Sequence, residues 1–458
     1  MNRFDAIIIG TGQAGPSLAD RLAKSGMQVA IIERGKFGGT CVNNGCTPTK
    51  TLIASAYAAR LAQRAAEYGV QIAGSVKADM VRVKARKDAL VERATTGLEG
   101  WLRSLANVAV YTGHAKFLDP HTVSVGTETL TGERVFINVG GRPFVPHMPG
   151  VDQVPYLTNE SLMDVDFLPE HLIIVGGSYV GLEFGQMYRR FGSRVTIIEM
   201  ASRLVSREDP DVSDAIREIL EAEGIEIRLD AKCIAFEPVL DGVHARVDCK
   251  DGPPDVSGTH VLLAVGRVPN TDGLGLPEAG IEVDARGYIK VDETLKTTAD
   301  NVHALGDCNG RGAFTHTAYN DYEIVADNLL SGAHRKVSDR IPIYGLFVDP
   351  PLGRLGLTET EARRAGHKML IARMSMTDVA RAREKGETQG FMKILVDADS
   401  KRILGASILG VGGDEAVHSL VDAMYGQLPY AVVMQGVRMH PTVSELIPTA
   451  LSELQPSA

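Results

Sequence analysis

A chain of 458 residues with 44% hydrophobic and 23% charged residues has the make-up of a soluble globular protein. It is too long for one ordinary core, so roughly two to four domains are expected. The net charge of -9 argues against a nucleic-acid backbone as the main partner, and five cysteines are too few for a disulfide scaffold. No apolar run reaches the roughly 18 residues of a membrane span, and the start "MNRFDAIIIG" lacks the layout of a signal peptide, so a cytoplasmic protein is expected.

The segment "FDAIIIGTGQAGPSLADRLAKSGMQVAIIERG" reads as strand, tight glycine turn, helix and strand. Gly10, Gly12 and Gly15 form GxGxxG, and Glu33 closes the second strand. Glycine permits the turn and close backbone approach, the helix N-terminus faces a pyrophosphate, and the acid takes a ribose hydroxyl pair. Next comes "GGTCVNNGCTPTK", Gly38 to Lys50, which holds Cys41 and Cys46. Such a pair could bind a metal, staple a loop, sit idle or carry electrons. Structural zinc is disfavoured because no second Cys or His pair follows.

The first unit then recurs as "HLIIVGGSYVGLEFGQMYRRFGSRVTIIEM". Gly176 and Gly181 flank Ser178, which stands in the middle glycine's place, and Glu199 follows Gly176 at the distance that separates Glu33 from Gly10. Two copies imply two dinucleotide sites. A carboxylate at Glu199 accepts from the 2′- and 3′-hydroxyls and repels a 2′-phosphate, which favours NADH, with Arg203 nearby leaving NADPH possible.

The stretches "INVGGRPFVPHMPG" (Ile137 to Gly150) and "LLAVGRVPNTDGLGL" (Leu262 to Leu276) are short strands running into Gly-Arg-x-Pro-type turns, expected where the chain crosses between domains. "NVHALGDCNGRGAFTHTAYNDYEIVADNL" gives a strand, a sharp turn at Gly306-Asp307 and a helix. From about Ile341 strands and helices mix as in a separate α+β domain. The expected fold is α/β, with two Rossmann-like dinucleotide-binding domains and a C-terminal α+β domain. The expected division is 1–147 with 266–338, 148–265, and 339–458.

Five features in order, namely the first GxGxxG, "GGTCVNNGCTPTK", the second glycine motif, "ALGD" and "HPTVSE", resemble the flavoprotein pyridine nucleotide–disulfide oxidoreductases over nearly the whole chain. That family includes dihydrolipoamide dehydrogenase, glutathione reductase and mercuric reductase. The resemblance implies FAD on Gly10, Gly12, Gly15 and Glu33, with Gly39, Thr40, Lys50 and Asp307 along it. It implies NAD(P)H on Gly176, Ser178, Gly181, Glu199 and Gly266, and a homodimer in which the partner's C-terminal domain completes each active site. It further implies that NADH reduces the flavin, which opens a Cys41–Cys46 disulfide in a loop that Gly45 lets curl. Cys46 would then lie against the flavin as the charge-transfer thiol, and Cys41 would attack substrate as a thiolate.

By the same likeness Lys50 sits near the flavin with Glu183 as its carboxylate partner. In "RMHPTVSELIPT", His440 is the base, Glu445 orients it, and Pro441 stands at a helix start. "FTHTAYNDYEIVADNL" and "HPTVSELIPT" look most like the mercuric-reductase-like branch. Mercuric reductases carry a vicinal cysteine pair near their C-terminus, and no cysteine follows Cys308 here.

The expected activity is NADH-dependent reduction of a small disulfide or thiol-reactive oxidant. Reduction of Hg(II) or Cu(II), or dihydrolipoamide oxidation, is the alternative, and a non-catalytic NADH-responsive flavoprotein is the alternative of another class. No resident metal is expected. His114, His121, His244 and His367 read as structural or exposed, Cys233 and Cys249 as small core residues, and Cys308 is given no chemistry.

Overall fold

The computed structural model describes residues 2–248 and 253–457; Cys249 and the side chain of Cys233, with the expectations attached to them, lie outside what is described. The opening apolar run forms strand Asn2–Ile9, whose Ala6 to Ile9 are buried, as a central parallel strand covered on both faces requires. It pairs in parallel with Val29–Glu33 on one side and Glu128–Ile137 on the other, and Val29–Glu33 pairs with Val108–Thr112. Helix Gly15–Lys24 lays Leu18, Ala19 and Leu22 on this sheet. The sheet is completed from far along the chain: Val302–Ala304 pairs with Glu128–Ile137, His303 opposite Phe136.

The second unit has a five-stranded parallel sheet in the order Glu226–Arg228, Arg194–Ile198, His171–Val175, His260–Leu263 and Tyr156–Leu157. Its glycine-turn helix Tyr179–Phe191 is buried along most of its length, because helix Cys46–Gln63 of the first unit packs on the face that its own sheet leaves free. That packing brings the loop of Cys41 and Cys46 to the second unit. The two Gly-Arg-x-Pro stretches meet each other: Gly141–Pro143 and Arg267–Pro269 pair antiparallel, with Val268 opposite Arg142.

The C-terminal region is a six-stranded antiparallel sheet, ordered Ile343–Leu346, Leu352–Gly356, Ile403–Leu409, Phe391–Asp397, Met369–Ser375 and Gln455–Pro456. Buried charges pin it to the second unit. Lys393 Nζ, on a side chain only 2% exposed, lies 2.7 Å from Asp211 Oδ1 and 3.0 Å from Asp209 Oδ2. Arg190 likewise joins Glu223 and Asp349, at 2.6 and 2.7 Å. Removing one member of such a group would strand the others without water, so these contacts hold the two bodies in one relation.

The helix expected to begin at Pro441 does not. Regular structure starts at Ser444–Leu446 and continues as Ile447–Leu451. Before it, Thr442 Oγ1 accepts from Glu445 N at 3.3 Å and donates to Met439 O at 2.9 Å, local bonds of a turn that precedes the capping residue Val443.

Candidate active site

The two glycine turns are built alike. Gly10 has φ +105° and Gly176 φ +116°, the left-handed region where a side chain is strained, and an added Cβ would come within 2.3 Å of Asn138 O and 2.4 Å of Ala264 O respectively. Gly15 and Gly181 pass just as close to Gly10 O and Gly176 O. The two acids match as well. Glu33 Oε2 accepts from Thr11 N at 2.9 Å and Oε1 from Gly35 N at 2.8 Å. Glu199 Oε2 accepts from Gly177 N at 2.5 Å and Oε1 from Ala201 N at 2.8 Å. Backbone donors therefore aim each carboxylate at the mouth of its turn, with lone pairs left for a ribose diol. Ser178 is exposed at the start of the second helix, and Gly266 faces open space with φ +124°.

A cavity of about 740 Å³ begins at Glu33 and Gly12 and ends among Cys41, Cys46, Lys50 and Glu183. Its length and lining suit an extended dinucleotide, and it lies within the usual range of ligand sites. The first turn and the redox loop are locked together here. Thr11 Oγ1 donates to Glu33 Oε2 at 2.6 Å and accepts from Gly38 N at 3.1 Å, while Gly39 packs against the Cα of Gly12. Thr40 Oγ1 is held by Arg267 at 3.2 Å. Arg267 also stands 3.9 Å from Asp307, whose carboxyl is pushed up by burial and faces the cavity with room for a hydroxyl donor. This set of backbone amides, acceptors and small residues fits FAD.

At the far end Cys41 and Cys46 are both free thiols. Helix Cys46–Gln63 places Lys50 one turn beyond Cys46, where its Nζ donates to Glu183 Oε2 at 2.8 Å and stands 4.4 Å from the centre of the Phe347 ring. Glu183, 7% exposed, accepts a second bond from Phe347 N at 3.1 Å. Expected as a pair on family grounds, these charges do meet, Glu183 buried and Lys50 about a third exposed at 36%.

The two thiols are unequal. A hydrogen bond from the Cys41 thiol, then the Thr315 hydroxyl and the Lys50 charge, hold Cys46, which keeps an exposed surface, down to about 6 against partial desolvation and Glu183. Cys41, half-buried, is pushed far up, because its proton is shared with the Cys46 thiolate and because it is partly desolvated. The expected result is that alkylation of Cys46 in the reduced protein is independent of pH above neutrality and falls about tenfold per unit below pH 6. Peptide-resolved iodoacetamide kinetics measure this, and a midpoint near the ordinary thiol value of 9.0 would mean these neighbours do not act on it.

His440 and Glu445 form their pair, Nδ1 lying 3.0 Å from Oε1 and 3.1 Å from Oε2, but His440 is 74% exposed and neither residue lines the cavity. Within one chain they do not meet the cysteines. Sequence reasoning missed Thr315, whose Oγ1 sits between the two sulfurs, and Asn138, against which both Gly10 and Gly15 pack. His114, expected to be structural or exposed, is exposed but lines the cavity rim, Nε2 3.1 Å from Gly273 O. Cys308 is fully buried with its Sγ 3.3 Å from Leu305 O, and burial pushes its thiol up to about 12, which makes it an inert core residue.

Comparison with known proteins agrees with this geometry. The sequence model for "Pyridine nucleotide-disulphide oxidoreductase" matches residues 4–321, and that for its dimerisation domain matches residues 343–451. The chain is 37% identical over 460 residues to the probable pyridine nucleotide-disulfide oxidoreductase RclA of Escherichia coli, covering 97% of this chain and 98% of that one. It is 35% identical to a mercuric reductase of Streptomyces lividans, over 90% of this chain and 88% of the relative. It is 31% identical to a dihydrolipoyl dehydrogenase of Thermus scotoductus, over 100% and 99%. Among solved structures, a Cu(II) complex of the HOCl-induced flavoprotein disulfide reductase RclA from Escherichia coli superposes with a TM-score of 0.90 at 36% identity, over 99% of both chains. Among the described residues no helix is long and apolar enough to cross a membrane. With two family models spanning most of its length and the first glycine turn lining one cavity with both thiols, the chain belongs to the pyridine nucleotide–disulfide oxidoreductases, enzymes that work with FAD and NAD(P)H.

Proposed function

We propose that this enzyme passes electrons from NADH to a small disulfide or other thiol-reactive oxidant through Cys41 and Cys46. One observation carries the reading: two free thiols of opposite acidity share a cavity with an ion-paired lysine, at the far end from a dinucleotide turn. FAD would lie on Gly10, Gly12, Gly15 and Glu33, with Gly39, Thr40, Lys50 and Asp307 beside it. NAD(P)H would lie on Gly176, Ser178, Gly181, Glu199 and Gly266. The flavin, when bound, supplies a two-electron relay from nicotinamide to the cysteine pair. Cys46 carries the negative charge of the reduced pair, and Lys50 and Thr315 hold it there. Cys41 keeps its proton until a base takes it, and His440 of a second copy, oriented by Glu445, is that base. The domain division at 147, 265 and 338 belongs to the same reading, supported by the return of Val302–Ala304 to the first sheet.

The deciding experiment is an anaerobic panel with FAD-loaded protein and NADH or NADPH, offering lipoamide, glutathione disulfide, other small disulfides, Hg(II) and Cu(II). Turnover of a disulfide is the expected result. Silence with every acceptor would favour a flavoprotein whose thiols do no catalysis. A second reading, reduction of a thiophilic metal ion as substrate, is favoured by the copper complex of RclA and by the soft sulfur pair facing the cavity.

Cofactor choice has its own test. Replacing Glu199 by Gln keeps an acceptor oxygen for one of the two backbone amides and removes the charge that repels a 2′-phosphate. Glu199→Gln is expected to lower the ratio of kcat/KM for NADH over NADPH about tenfold, the usual worth of one charged hydrogen bond. An unchanged ratio would move the ribose contact elsewhere.

A further inference from the structure

Thr315 opens helix Thr315–Ser331 and sits where the two redox sulfurs converge. Its Oγ1 lies 3.1 Å from Cys41 Sγ and 3.2 Å from Cys46 Sγ. The hydroxyl has no part in starting the helix. Phe314 is the capping position, and Thr317 exchanges the local bonds, Phe314 N to Thr317 Oγ1 at 3.1 Å and Thr317 Oγ1 to Phe314 O at 2.8 Å. Among the described residues the Thr315 hydroxyl has no hydrogen-bond partner besides the two sulfurs.

A hydroxyl holds one proton and two lone pairs; here Thr315 Oγ1 donates to Cys41 Sγ, and its contact with Cys46 Sγ can run in either direction. Two reduced sulfurs, one thiolate and one thiol, satisfy both contacts. A disulfide offers neither a charged acceptor nor an S–H donor, so the same hydroxyl would lose its strong bond when the sulfurs join. Bonds to a charged sulfur are the stronger kind, and this one exists in a single redox state.

We propose that Thr315 is a positioning residue that sets the redox balance of Cys41 and Cys46, holding the pair toward its reduced thiol–thiolate form. The inference rests on the reading of the pair as a redox disulfide. A small dithiol in solution makes the balance explicit. It reduces the bond by two electrons and is itself oxidised to a cyclic disulfide. The protein S–S bond breaks, one of the dithiol's two protons ends on Cys41, and the other goes to solvent. Cys46 is left as the thiolate, with Thr315 Oγ1 in contact with both sulfurs. The lowered pKa of Cys46, to which Thr315 contributes, agrees in direction. The positive end of the 17-residue helix lies at the same sulfurs, but it is unaltered by a side-chain change, so the hydroxyl can be tested apart from it.

The test compares FAD-loaded wild type, Thr315→Val and Thr315→Ser. Each is equilibrated anaerobically with mixtures of reduced and oxidised dithiothreitol, without pyridine nucleotide. The thiols are then trapped and read peptide by peptide by mass spectrometry, and Cys46 alkylation is followed against pH. Valine keeps the shape and removes the hydroxyl. It is expected to lower the reduced-to-oxidised ratio of the pair about tenfold at a given buffer ratio and to raise the Cys46 midpoint by about one unit, as loss of one charged hydrogen bond requires. Serine is expected to restore both. Val matching wild type in both readouts would overturn the proposal, as would Ser shifting as far as Val. If no Cys41–Cys46 disulfide forms in the wild type at any buffer ratio, the reading beneath it fails. If the disulfide forms but ignores residue 315, only this inference fails.

Discussion

The Cys41→Ser enzyme is expected to bind FAD and to be reduced by NADH at a near-normal rate, while its disulfide turnover falls by at least about a thousandfold. The groups that would hold FAD and NADH are untouched by the change. The glycine turns, Glu33 and Glu199, and the Lys50–Glu183 pair are built without any contact to the Cys41 sulfur. Only the attack on substrate needs that sulfur, and a serine hydroxyl is a poor nucleophile at neutral pH without a thiolate's charge. Cys46 cannot replace it, since it is the sulfur placed beside Lys50 and already carries the charge of the pair. Anaerobic stopped-flow reduction by NADH and steady-state NADH oxidation with the preferred disulfide separate the two halves. Retention of about a tenth of the turnover, against the thousandfold loss expected of a missing nucleophile, would remove Cys41 from its role.

How much of this site could be read in advance depends on the range over which each part is specified. The turn glycines and their acids are set by short-range sterics and backbone donors, so spacing reveals them: Gly15 must pass Gly10 O, and Glu33 must reach Thr11 N. Lys50 and Glu183 are separated by 133 residues, and no periodicity links them. They become visible through resemblance, and helix packing then explains them. Thr315 lies 269 residues from Cys46 and belongs to no motif. Its segment reads in the sequence as a mark of lineage, although a hydroxyl at the mouth of the helix after "ALGD" is the available signal. The buried cluster of Lys393 with Asp209 and Asp211 is equally hidden, because charges in a sequence read as surface until packing removes the water. The misplaced helix start at Pro441 has the opposite cause. Proline at a first helical turn is a sound local rule, and here Thr442 bonds a turn to Met439 and Glu445 while the cap falls on Val443, two residues later.

Replacing His440 by Ala is expected to lower disulfide turnover by about a hundredfold or more while reduction by NADH persists, and mixing variants then tells where the histidine acts. Cys41 needs a base, since its shared proton holds its pKa far up, and no base among the described residues of its own chain bonds to it. His440 is paired to Glu445, exposed, and outside the cavity of its own chain. A two-fold dimer resolves the mismatch if each histidine serves the other copy's cysteines. Consider Cys41→Ser and His440→Ala subunits dissociated and reassembled together. In a hybrid dimer with crossed sites, one site combines both lesions and the other has a normal cysteine facing a normal histidine. Random reassembly makes about half the dimers hybrid, each with one working site, so about a quarter of wild-type turnover returns. If cysteine and histidine worked within one chain, every site in the mixture would carry one lesion and nothing would return. Recovery measured against equal mixtures of each variant with itself therefore distinguishes a site shared across the dimer from one contained in a single chain.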